Sequence, residues 1–144
     1  MRGARAMVRG VAALALTGAL ALPAATAEPR PASIRDVAGV MDGLVLIEAG
    51  NVIRKACPTI EANRLRGILF MLDLKNRASV AGYSDDEIRA FVDDPAEKAR
   101  VEAAADRWLA ERGARRGDPE TLCRAGAAEI AANTQLGRLL RRAE

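Results

Sequence analysis

Two thiols, a run of carboxylates and a cluster of arginines are the residues of this chain whose types could do chemistry. The thiols are Cys57 and Cys123, and there are no others. A redox pair usually reads Cys-x-x-Cys, a spacing absent here. A thiol nucleophile needs a base beside it, and the chain contains no histidine to serve. A zinc site needs further ligands of the usual kinds. The reading left is structural. In an exported chain an even cysteine count signals a disulfide, and two cysteines allow one pairing. Closing a loop of this length contributes about 4 kcal/mol through the entropy of the unfolded chain. That is a large share of the roughly 5–15 kcal/mol that holds a domain together.

The carboxylates are Asp85, Asp86 and Glu87, followed by Asp93, Asp94 and Glu97. Such a stretch could bind a cation or work as an acid–base pair. A calcium loop alternates oxygen ligands around a glycine and closes on Glu, and this stretch does not. Helix caps and a solvated surface are expected instead. Arg112, Arg115 and Arg116 form a basic, glycine-containing loop able to meet phosphate, an anionic headgroup or an acidic partner. Arg138, Arg141 and Arg142 make a second basic group near the end. Tyr83 and Trp108 are of types enriched at binding hot spots. Trp108 falls on an apolar helical stripe and reads as core. Tyr83 falls in a turn, and with Arg112, Arg115 and Arg116 it makes the candidate interaction surface. No nucleophile elbow, P-loop, dinucleotide fingerprint or metalloprotease pattern occurs. No catalytic, cofactor-binding or metal-ligating residue is assigned, no cofactor is expected, and the chain reads as non-enzymatic.

The amino-terminal stretch explains the overall charge. Arg2, Arg5 and Arg9 precede an apolar run from Val11 to Leu22, Pro23 breaks it, and Ala25-Thr26-Ala27 offers a small-x-small cleavage site. That order is a secretory signal peptide. A membrane-spanning helix needs ~20 apolar residues, more than this run provides, and no cysteine stands at the junction to carry a lipid. The expected organisation is a signal peptide over 1–27 and a single helical domain over 28–144, periplasmic or secreted, with no stable membrane insertion after cleavage. Three of the chain's 22 basic residues and none of its 19 acidic ones lie in 1–27, so the mature part is neutral, 19 against 19. Without a positive field the main electrostatic contribution to nucleic-acid affinity is weak, and no nucleic acid is expected as partner.

These groups must be positioned by helices. Alanine is abundant and β-branched residues are few, which favours helix over strand. Ser33, with Asp36 three residues on, predicts the start of a first helix running to Lys55-Ala56-Cys57, where Pro58 ends it. Gly39, Gly43 and Gly50 along it would let a neighbouring helix approach. Pro58 then sits in the first turn of a second helix, whose apolar stripe is Leu65, Ile68, Leu69 and Leu72. Ser84-Asp85-Asp86-Glu87 is a capping box opening a short third helix. Asp94-Pro95 and Asp118-Pro119 open the fourth and fifth, the last running about 22 residues, ~33 Å, to the arginines at its end. The fold expected is all-α, a compact bundle of four longer helices plus one short one, with a disulfide tying the starts of helices two and five.

The segments Asn51–Ile60 (with Cys57-Pro58), Gly82–Asp94 and Gly117–Cys123 (Gly-Asp-Pro-Glu-Thr-Leu-Cys) resemble an alphaproteobacterial family of small exported proteins, domain of unknown function 5333. The likeness covers Ile34 to Leu140. It implies no activity and no catalytic residue. Genes of that family can neighbour those of respiratory complex I, which implies an accessory role beside a membrane respiratory complex as one alternative.

Three functions are weighed on these residues. The first is a periplasmic, non-enzymatic protein that acts by binding another protein, with its oligomeric state open. The second is a stress chaperone active at about pH 2–3, where neutralised carboxylates leave a strongly cationic chain. The third is an enzyme working with carboxylates or arginines alone on cell-wall polymers.

Overall fold

Helix α1 (Val40–Ala56) is the axis around which the other elements are arranged. The computed structural model describes residues 29–144, so the leader, its apolar run and the cleavage site lie outside the described residues. Val40, Gly43, Ala49, Gly50, Val52 and Ile53 of α1 are buried, on more than one side of the helix. A helix apolar around most of its circumference must be covered by several neighbours. Here α2 (Arg64–Val80), α4 (Pro95–Ala110) and α5 (Pro119–Ala131) all pack on it. The short α3 (Asp85–Asp93) leans on α4 and α2. The four longer helices and the short one expected from the sequence are therefore present, in an all-α arrangement.

Two features depart from expectation. The fifth helix does not run on to the terminal arginines. It ends at Ala131; Asn133 takes a left-handed conformation (φ 50°), and Thr134 caps a separate short helix α6 (Gln135–Leu139) through its hydroxyl oxygen, which accepts from the Gly137 amide. Asn tolerates that backbone region better than most residues, and Thr is a good cap, so Asn133-Thr134 is a break inside what looked like one periodic helix. The chain then forms strand β2 (Leu140–Arg142), which pairs antiparallel with β1 (Ile60–Ala62), Glu61 opposite Arg141. Arg141 and Glu61 form an ion pair across the two strands.

The starts of the first two helices also differ. Ser33 accepts a hydrogen bond from the Arg35 amide but caps only a single 3-10 turn, Ile34–Asp36. Gly39, at φ 75°, turns the chain into α1, a conformation that favours glycine. Pro58 belongs to the turn before β1 rather than to a helix, and Asn63 is the cap of α2. The disulfide Cys57–Cys123 thus ties the end of α1, not the start of α2, to the second turn of α5, with Cα atoms 5.2 Å apart. It lies in the main core with Ile53, Leu109, Leu122 and Leu136, all essentially without solvent contact. A second cluster holds Ile34, Val37, Val40, Ala78 and Tyr83.

The capping box is present as read. The Ser84 hydroxyl accepts from the Glu87 amide, and the Glu87 carboxylate accepts from the Ser84 amide at 2.8 Å. Glu87 also pairs with Arg30 at 2.5 Å. The Arg30 guanidinium, followed by the Ser84 amide and hydroxyl, holds this carboxyl down at about 2. A depressed carboxyl contributes stability that is present above its unfolded pKa, ~4.3, and is lost as pH falls through about 2. Ser84→Ala is expected to cost about 1 kcal/mol near neutral pH. It should also raise the Glu87 titration midpoint in a carboxyl-carbon NMR titration. An unchanged midpoint would show that the Ser84 hydroxyl does not hold Glu87.

Candidate functional site

The most unusual surface of the molecule is apolar. Leu65, Ile68, Leu69, Met71 and Leu72 of α2 are each more than half exposed, from 56% to 68%. Four of them, Leu65, Ile68, Leu69 and Leu72, form the apolar stripe that the sequence places on the face α2 would turn to its neighbours. Instead Leu74 and Ala78 are the buried residues of α2. The reason is steric. Gly43 leaves space on α1 that the Leu74 side chain fills, since a Cβ at Gly43 would collide with it. Helix α2 is apolar on two sides, and periodicity does not say which one meets the core.

The exposed side borders a continuous trough. Three hollows of about 380, 310 and 590 Å³ share walls, and Ile47 lines all three. The floor is α1 from Leu44 through Ile47 and Asn51 to Arg54. Those positions step by three, four and three residues, which keeps them on one face of a helix. One wall is α2, with Ile68, Met71 and Leu72; the other is the end of α3, with Phe91 and Val92, continuing into Val101 of α4. The trough is apolar where Leu44, Leu72 and Phe91 meet. Toward α6 and β2 it is still lined by Leu136, Leu139 and Leu140 but gains Asn51, Arg54 and Arg64. Contiguous exposed apolar surface of this kind marks interaction sites, because each large aliphatic side chain left in water forgoes about 1.5–3 kcal/mol available on full burial.

If this face does not serve the fold, changing it should leave stability intact. Leu65→Gln and Leu69→Gln are each expected to shift the unfolding free energy by less than about 0.5 kcal/mol. Leu74→Ala, on the opposite side of the same helix, should cost about 2–4 kcal/mol. Urea denaturation of the three variants checks this; equal losses at all three would mean that the exposed side is part of the core.

The residues singled out from the sequence fall elsewhere. Tyr83 is buried rather than open: its hydroxyl donates to the Pro31 carbonyl oxygen at 2.5 Å, and the Arg30 guanidinium lies over its ring, 3.8 Å from the centroid. It anchors the incoming chain and presents no free face to a partner. Arg112 stacks on Trp108, 3.3 Å from the ring centroid, and pairs with Glu129 at 2.7 Å. Arg116 bridges Asp106 at 3.0 Å and Glu48 at 3.1 Å. Arg115 makes one long contact with Asp118 and is the most exposed of the three. The basic loop is thus largely engaged in closing the α4–α5 connection, and it does not border the α2 wall. The acidic stretch is likewise engaged locally: Asp94 caps α4, Asp85 pairs with Lys75, and Glu97 pairs with Arg35 at 2.6 Å.

The trough residues themselves, Ile47, Met71 and Phe91 above all, were not marked as functional by the sequence. Their only signal is a surplus of apolar side chains on α1, α2 and α3 beyond what the buried faces need.

No curated protein and no solved structure matches the chain. A family model does match, over residues 32–141, from just ahead of the 3-10 turn to within β2. The match takes in both cysteines and every element that forms the trough, and the chain therefore belongs to the family of unknown function DUF5333.

Proposed function

We propose that this is an exported, non-enzymatic protein that works by holding an apolar helical segment of another protein in the trough between α1, α2 and α3. The observation that carries the reading is the set of five large apolar side chains left open on α2, of which Ile68, Met71 and Leu72 wall a trough floored by α1. Helix-in-groove recognition uses such a surface, with ligand side chains at i, i+3, i+4 and i+7 entering it. Export fits the paired cysteines, since disulfides persist in oxidising compartments. Among the described residues no helix is long and apolar enough to cross a membrane. An accessory role beside a membrane enzyme is one setting in which such a binder would serve.

The test is co-purification from the native host, comparing the tagged protein with its Leu72→Asp variant by quantitative mass spectrometry. Leu72 is exposed, so the variant should keep its fold, checked by circular dichroism. A protein recovered with the unaltered chain and at least about tenfold depleted with the variant, a change of ~1.4 kcal/mol, supports the reading. Identical recoveries from two folded proteins contradict it.

A further inference from the structure

We infer that the segment bound in the trough is an amphipathic helix of a different protein, with carboxylates at the end that lies over Arg54 and Arg64. This rests on the reading of the trough as a binding surface and adds the chemistry and polarity of its ligand. The trough is unequal along its length. At the Leu44 end it is walled by Leu72, Phe91 and Val92 and offers little but hydrocarbon. The other end keeps an apolar lining, with Leu136, Leu139 and Leu140 facing Ile68 and Met71, and adds Asn51, Arg54 and Arg64 at its rim.

The charges decide the polarity. Among the described residues most cations are already matched: Lys75 by Asp85, Arg77 by Asp73, Arg116 by Glu48 and Asp106. Among the described residues Arg54 and Arg64, like Lys55, Arg66, Arg107, Arg138 and Arg142, make no ion pair, and of these seven only Arg54 and Arg64 line the trough; the only side-chain bond Arg54 donates is to the amide oxygen of Asn51, 2.9 Å away. Two exposed guanidiniums at the mouth of an apolar groove recognise carboxylates, which they can bind through two parallel hydrogen bonds. The carboxyl-terminal end of a helix carries partial negative charge and adds to the same attraction. The opposite arm is lined by Glu48, Glu97, Lys98 and Glu102; Arg116 and Arg35 pair with the first two and Asp93 with Lys98, so no unpaired cation lies there to match Arg54 and Arg64.

The same charges argue against a second copy as occupant. Packing α2 on its own counterpart in parallel would set Arg64 and Arg66 against themselves. Packing it antiparallel would bring Arg64 to the Lys75–Arg77 end of the partner helix, where Asp85 and Asp73 already neutralise both cations and leave no charge attraction to favour the pairing. Like charges across an interface disfavour association.

Two synthetic 15-residue helices serve as probes. They share one leucine face, at i, i+3, i+4 and i+7, and carry either three glutamates or three lysines in the last turn. Binding to the exported, disulfide-bonded protein is read by fluorescence anisotropy at low salt. The glutamate-ended helix should bind at least about fivefold more tightly than the lysine-ended one, the ratio expected of exposed charge pairs. The preference should vanish in Arg54→Gln/Arg64→Gln, and Leu72→Asp should weaken both probes. Equal affinities, or a preference that survives the double arginine change, overturn the polarity while leaving co-purification to judge the trough. A protein that dimerises through this face, with the dimer lost on Leu72→Asp, overturns the assignment to a different partner. Failure of both probes to bind overturns the helical ligand.

Discussion

The double substitution Cys57→Ala/Cys123→Ala is expected to lower the unfolding free energy by about 4 kcal/mol and the melting temperature by roughly 15 °C. The bond links residues 66 apart in sequence. In the unfolded chain it forbids all conformations in which the end of α1 and the start of α5 are far apart, and its loss restores them. Little of the effect should come from packing. Cys57 is 1% exposed in the main core, and alanine there removes only a sulfur. The domain is small, so the amount is about a quarter or more of the roughly 5–15 kcal/mol that such a domain has. Urea unfolding of the oxidised protein and the double variant gives the difference. The denaturant slope should also rise, because the unlinked chain exposes more surface on unfolding. A loss under about 1 kcal/mol would mean that α1 and α5 hold each other without the bond.

Gly137→Ala is expected to cost about 3 kcal/mol or more, an effect set by backbone rather than by side chains. Gly137 lies in α6, which folds back on the end of α5. A Cβ there would run into the carbonyl oxygen of Glu129, with the Ile130 amide nitrogen 2.9 Å away. A flexible side chain could swing aside, but these atoms belong to the last turn of α5. The approach is fixed from the other side as well, since the Gly137 amide donates to the Thr134 hydroxyl at 3.0 Å and Leu136 is buried in the core. Alanine would have to push α6 off α5 and disturb β2 behind it. The control is Gly67→Ala. An added Cβ at Gly67, inside α2, meets nothing within 4 Å. There alanine should be neutral or stabilise by about 0.5–1 kcal/mol through helix propensity. Similar stabilities for both alanine variants would contradict the close packing of α6 on α5.

Local signals in the sequence are legible because local physics sets them. Ser84 with Glu87, Asp94 with Pro95 and Asp118 with Pro119 each place a cap and an orphan amide within one turn, and all three open helices where expected. The pairing of Cys57 with Cys123 followed from there being no other thiol. The failures are of two kinds. Asn133-Thr134 is a local break, but the apolar periodicity of Ile130, Leu136 and Leu140 masked it. The β1–β2 pairing joins residues about 80 positions apart, and three-residue strands leave no pattern to read. The site was harder still. The stripe Leu65, Ile68, Leu69 and Leu72 is visible in the sequence, but its exposure depends on Gly43 admitting Leu74 from the opposite side of α2. Tyr83 looked available because it sits in a turn. Only the fold shows that the chain entering at Arg30 and Pro31 covers it.

The claim on which the functional account depends is that the open side of α2 is where a partner sits. Site-specific photo-crosslinking in the native host tests it most directly. A benzophenone side chain is placed at Met71, on the trough wall, and in a second variant at Arg124, on an exposed part of α5. The account predicts an adduct of one defined mass from Met71, identified by mass spectrometry as another protein, and none from Arg124. Adducts of equal yield from both positions, or none from Met71 while the protein is folded and oxidised, would contradict it.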